Sequence, residues 1–263
     1  MISALRTPED GRWYRLALAA LVLSAWAALA AWGASPFAPL LSHHALAGGG
    51  LTLLRLAAFA AGWVLMTIAM MLPGSLPLVN LFRALVAGRP GGTTLIVSLI
   101  AGYLMVWIAF GVAAFAGDAV LHAAVERSAA AAAWSGWIGV FVLLAAGVYQ
   151  VTPLKDLCLD KCRSPYSFLA EHWRGRQPRR DALRLGAYHG LFCVGCCWTL
   201  MLLMFAVGGV NLGWMLGLGA MMLIERTSKW GRHLVAPVGA ALILCAVAIV
   251  CRVPLMLSVF GGN

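Results

Sequence analysis

Tyr188-His-Gly-Leu-Phe-Cys-Val-Gly-Cys-Cys-Trp-Thr-Leu-Met-Leu-Leu-Met204 is the stretch from which the rest of the chain can be read. It is apolar enough to enter a bilayer, yet it carries His189, Cys193, Cys196 and Cys197. At the helical period His189, Cys193 and Cys196 fall at i, i+4 and i+7 and share one stripe. Cys197, Met201 and Met204 form a second stripe about 100° around the helix. Imidazole, thiolate and thioether are the side chains that bind soft metals, Cu(I) above all, and Zn where thiolate and imidazole dominate. An ionisable group inside an apolar helix is costly unless something uses it, so this helix reads as a span that carries a site.

The composition agrees. Of 263 residues, 62% are hydrophobic and only 11% charged, against about a quarter charged in an ordinary soluble domain. The net charge of +10 is not a nucleic-acid signature, because the basic residues sit between apolar runs rather than in an aromatic-interleaved patch. In a membrane protein such charge sets topology and meets anionic lipid. The seven cysteines lie mostly in or beside spans, which argues against a secreted disulfide framework.

Hydropathy divides the chain into seven candidate spans, at approximately 16–34, 53–72, 94–115, 134–152, 185–208, 210–224 and 235–257. The arginines before residue 16 suggest a signal peptide, but the apolar run exceeds the usual length of one, so it reads as an uncleaved first span. Residues 1–15 are then a cytoplasmic tail, and 16–263 a single transmembrane domain with a cytoplasmic loop at about 153–184. The distribution of Lys and Arg tests this division. Arg6, Arg12, Arg15, Arg83, Arg89, the basic residues from Lys155 to Arg184, Arg226, Lys229 and Arg232 all fall on one side. Only Arg55, Arg127 and Arg252 fall on the other. The positive-inside rule therefore places the N-terminus in the cytoplasm. The expected fold is all-α, a polytopic bundle of about seven spans in a membrane, taken as a bacterial inner membrane.

That topology brings the chemically pointed residues toward the cytoplasmic end. Met66 and Met70 share a face near the inward end of the second span, with Pro73 and Pro77 marking where that helix stops. Cys158 and Cys162, spaced C-x-x-x-C, follow Pro153 on one face of a turn of helix. The adjacent Lys155, Lys161 and Arg163 would favour their thiolates. Glu225 ends the sixth span, as a ligand, a proton acceptor or a partner of Arg226. Asn211 is placed to cap that span, and Gly186/Gly190 with Gly213/Gly217 read as a close contact between the fifth and sixth spans. His43 and His44 fall on the opposite side, and Ala129–Ala133 reads as a helix extension. Nucleophile motifs, phosphate-binding loops and an H-E-x-x-H signature are missing.

Several runs occur in the order that marks one known family. Trp63-x2-Met66-x3-Met70-Met71-x-Pro73 precedes Gly147-Val-Tyr149-Gln150-Val-Thr152-Pro153-Leu-Lys155-Asp-Leu-Cys158-Leu-Asp-Lys-Cys162-Arg163-Ser-Pro165. Gly186-x3-Gly190-x2-Cys193-x-Gly195-Cys196-Cys197-Trp198 and Asn211-Leu-x-Trp214-Met215 follow. Over roughly residues 55–230 the chain resembles the DUF2182 family, described as predicted metal-binding integral membrane proteins and sometimes labelled copper chaperones. The resemblance implies a bound metal. One departure is Val210 before Asn211, where the family pattern leads one to expect Met.

The reading that results is a membrane protein that captures and transfers a soft metal. Its proposed ligands are Cys158, Cys162, His189, Cys193, Cys196, Cys197, Met66, Met70 and Glu225, with copper favoured and zinc the alternative. Its partners would be membrane lipids and a membrane-bound or exported metalloprotein. The rival readings are a membrane thiol-disulfide oxidoreductase and a metal-dependent membrane oxidoreductase; the scarcity of intramembrane histidines disfavours the latter.

Overall fold

Apolar runs punctuated by proline and glycine give helix after helix, and a computed structural model describes residues 8–36, 53–128, 137–206 and 212–260 of the chain. Among these the elements are α1 (Pro8–Gly33), α2 (Leu53–Met66), a π-helical turn (Thr67–Met71), α3 (Leu72–Val86) and α4 (Gly92–Arg127). They continue with α5 (Ile138–Gln150), α6 (Pro153–Arg163), α7 (Pro165–His172), α8 (Pro178–Ala206), α9 (Leu212–Thr227) and α10 (Gly231–Phe260). No strand occurs among the described residues. His43, His44, Ala129–Ala133, Val210 and Asn211 lie outside the described residues.

Among the described residues five stretches are long and apolar enough to cross a membrane: Leu16–Gly33, Leu56–Val86, Gly92–Arg127, Pro178–Met204 and Gly231–Cys251. A sixth would be the pair α5 and α6, bent by 64° at their junction. Helix α9, at 16 residues, is about 24 Å long.

The second span does not stop at Pro73. It runs on through Pro77 to Val86, because the π turn makes room for proline. The Leu72 N–H reaches back to the Thr67 carbonyl, so the next residue has no regular i−4 bond to lose, and Pro73 occupies the first turn of α3. The turn also buries Thr67, Ala69, Met70 and Met71 together, more of the surface than one α-helical stripe would. Arg83 consequently lies within α3 rather than in a loop.

The bend between α5 and α6 is written in Val151-Thr152-Pro153. The Thr152 hydroxyl accepts the Lys155 N–H at 3.4 Å and Pro153 starts the helix, a standard N-terminal signature. The expected loop at 153–184 is therefore largely helical, and α8 begins at Pro178, seven residues before the expected span.

The tightest seam joins α4 to α8. A Cβ on Gly186 would strike the Leu99 carbonyl, one on Gly102 the Leu183 carbonyl, and one on Gly190 would come within 3.1 Å of the Tyr103 carbonyl. The Gly186/Gly190 pair thus packs the fifth span against α4, not against the sixth, and Gly217 has open space at its Cβ. With lipid as apolar as leucine, close backbone approach through small residues is what holds such helices together. A second seam joins α5 to α10, where Gly147 and Gly239 meet. The core so enclosed contains Trp63, Trp107, seven methionines and all five cysteines of α6 and α8.

Candidate metal centre

Helix α8 runs unbroken from Pro178 to Ala206, so the one-stripe geometry of His189, Cys193 and Cys196 holds. The bend before α6 turns that helix back against α8. Cys158 arrives directly over Gly195: a Cβ there would sit 2.6 Å from the Cys158 sulfur. Only glycine admits the thiol. From the end of α5 the Tyr149 hydroxyl donates to the Gly195 carbonyl, and Tyr149 meets Trp198 edge-on at 5.2 Å, fixing the same point on α8.

Cys158, Cys162, Cys193, Cys196 and Cys197 are all buried and all free thiols, whereas Cys245 and Cys251 are exposed on α10. The Cys193 sulfur lies 3.1 Å from the Tyr103 hydroxyl. The Cys196 and Cys197 thiols both donate to the Cys193 carbonyl, at 3.1 and 3.0 Å. Cys197 is also 3.7 Å from the thioether of Met71. Met66 and Met70, the expected ligands of that segment, are buried in the same core, with Met70 against Gly219. The methionine that meets a thiol is Met71, which the π turn brings onto the buried face.

His189 stacks on Tyr103, centroids 5.7 Å apart, and takes Phe168 edge-on at 5.5 Å. Neither of its ring nitrogens has a hydrogen-bond partner, although both are buried. A buried imidazole left so is costly, and a ligand at either nitrogen would relieve it. Among the described residues no three His, Cys, Asp or Glu side chains stand close enough together to hold one ion. The sulfurs are arrayed along two helices rather than gathered into a cage.

The charges are arranged differently from the expectation. Glu225 is fully engaged: Lys155 Nζ lies 2.8 Å from Oε2, and the Gln150 amide donates to Oε1 at 3.1 Å. Lys155 also donates to Gln150 Oε1, and this triad is wholly buried. Glu225 therefore clamps α6 to α9 and does not pair with Arg226. Lys161 pairs with Glu171 at 2.6 Å, and Arg163 donates to the backbone carbonyls of Glu225 and Ser228. All three cations flanking Cys158 and Cys162 are thus committed elsewhere.

The cation among the thiols is Arg226. It is 5% exposed, with Nη1 3.4 Å from the Met71 carbonyl and 4.0 Å from the Met71 thioether. Its Nε and Nη2 have no partner, and it makes no ion pair among the described residues. Its charge reaches Cys193 most strongly, then Cys162, Cys196 and Tyr103. In the sequence Arg226 reads as one of three topological charges with Lys229 and Arg232. The signal that identifies it is the helical period: Met215, Gly219, Met222 and Arg226 lie on one buried stripe of α9.

A family model described as PpoB2, copper chaperone, matches residues 60–249. No curated protein and no solved structure matches the chain.

Proposed function

The chain belongs to the family described as PpoB2, copper chaperone, and on that premise we propose that it is a multi-pass membrane protein that captures Cu(I) on its buried sulfurs and hands it to an acceptor. The observation that carries this reading is the convergence of five free, buried thiols from α6 and α8 with the Met71 thioether and an unpartnered imidazole. Thiolate and thioether are the ligands that select Cu(I) over harder ions. A structural zinc site needs four ligands around one point; thiols arrayed in series suit an ion content with two at a time.

Exposure supports an order of passage. Cys158 and Cys162 are 9% and 6% exposed, while Cys196, Cys197 and Cys193 fall to 2%, 1% and 0%. Cu(I) would be taken up by the pair on α6 and pass inward to α8 by exchange of one thiolate for the next, with Met71 and His189 as further donors. Met66 and Met70 line the same core, and Glu225 acts by holding α6 in place. With the N-terminus in the cytoplasm, the α6 thiols face a reducing compartment, which keeps them unoxidised. The acceptor would be a membrane-bound or exported metalloprotein. The DUF2182 resemblance concerns the same motifs and fits the same role.

The test is elemental analysis of detergent-purified protein loaded with Cu(I) without oxygen, native against Cys158→Ser/Cys193→Ser. Near-stoichiometric copper in the native protein, lost from the double variant, is the expected result. No copper in the native protein, with mixed disulfides forming on Cys158 or Cys196 instead, would overturn the proposal in favour of thiol redox chemistry.

A further inference from the structure

A charged side chain inside an apolar core is stable only where something neutralises it, and Arg226 has no such partner. Lys155 is matched by Glu225, Lys161 by Glu171 and Arg232 by Asp160. Among the described residues Arg226 makes no ion pair; its charge acts instead on Cys193, Cys162, Cys196 and Tyr103, with the Met71 thioether 4.0 Å from Nη1. Two of its three guanidinium nitrogens, buried, donate to nothing. An unpaired buried cation costs several kcal/mol, and a membrane protein retains one where it has a use.

We propose that Arg226 is the fixed counter-cation of a two-thiolate Cu(I) complex and that it gives the site its preference for a monovalent ion. The inference rests on the copper reading above and adds the stoichiometry and the selectivity. One Cu(I) and two thiolates carry a net charge of −1, which a single guanidinium balances. Zn(II) with the same two thiolates is neutral and leaves Arg226 unpaired and repelled by a divalent ion. Three thiolates around Cu(I) carry −2 and exceed what one arginine matches. Copper stays at +1 throughout; the two thiol protons pass to the ligands that released the ion or to water. Because Nη1 is held by the Met71 carbonyl, the free Nε and Nη2 edge is the part left to meet the complex.

The experiment measures Cu(I) affinity by competition with a Cu(I)-selective chelator, and Zn(II) affinity with a zinc-selective one. The full chain is used in detergent without oxygen, native and as Arg226→Lys, Arg226→Gln and Arg226→Met. Removing the unit charge that acts on these thiols should lower Cu(I) affinity about tenfold or more in the Gln and Met variants. Zn(II) affinity should stay level or rise, and Arg226→Lys should keep the native preference. A variant that had lost its fold would lose both metals together, so the ratio of the two affinities separates charge from scaffold. Equal losses of Cu(I) and Zn(II) in variants that keep the native thermal midpoint, or native Cu(I) affinity in Arg226→Gln, would overturn the inference while leaving the copper reading intact. A native protein that binds no Cu(I) would overturn both. X-ray absorption of the copper-loaded native protein should show two sulfurs at short distance; three would refute the charge match.

Discussion

Replacing Lys155 by methionine leaves Glu225 buried without its cation, and replacing both Lys155 and Glu225 leaves nothing to compensate. Lys155 Nζ and Glu225 Oε2 are 2.8 Å apart, with side chains 0% and 2% exposed. At an effective dielectric of about 20 their attraction is about 6 kcal/mol, and the desolvation of two ions offsets most of it. The net worth of the pair is therefore near zero against an apolar replacement, whereas breaking it from one side costs about 3–5 kcal/mol. Lys155→Met should lower the thermal midpoint in detergent on the order of 10 °C, and Lys155→Met/Glu225→Gln should recover more than half of that. Because such unfolding is often irreversible, midpoints are compared at one scan rate. The clamp joins α6 to α9, so copper retention should fall in the single variant and stay low in the double one, which lacks the clamp as well. A single variant as stable as the native protein, or a double variant less stable than the single, would refute this account of Glu225.

Gly195→Ala adds a methyl group 2.6 Å from the Cys158 sulfur and 3.4 Å from its Cβ, so the thiol must turn away or α6 must shift. It should displace α6 locally, costing about 1–3 kcal/mol, and lower copper retention measured by elemental analysis; unchanged retention would show that Cys158 is not a ligand. Met71→Leu removes the thioether that meets Cys197 and conserves volume, so stability should change by less than about 1.5 kcal/mol. Its Cu(I) affinity should drop, while Met66→Leu, which removes a thioether from the same core and leaves the Met71–Cys197 contact in place, should bind as the native protein does; equal effects of the two would contradict the role given to Met71.

Much of this was legible along the chain. Strong hydropathy marked the long apolar stretches, and uninterrupted helix made the spacing of His189, Cys193 and Cys196 reliable. Pro73 misled because proline read singly means a helix end, while the preceding π turn removes its penalty. Gly186 and Gly190 were legible as a packing motif, but a motif names no partner: α4 supplies it through Leu99 and Tyr103. Lys155, Lys161 and Arg163 looked like thiolate-stabilising neighbours because they are near in sequence. Each instead reaches across to α9 or α7, where fixed acceptors wait.

The sequence by itself determined an all-helical chain with helices long and apolar enough to cross a membrane and a thiol-rich helix among them, because hydropathy and helical period are local properties. Only the tertiary structure decided which charge faces the thiols. Coulomb interactions depend on distance in space, and Glu225 and Arg226, neighbours on one helix, project to different partners: one to Lys155 of α6, the other to Met71 and the cysteines. No reading of adjacent residues separates such a pair, since the 100° turn between them acquires meaning only from what each side chain meets.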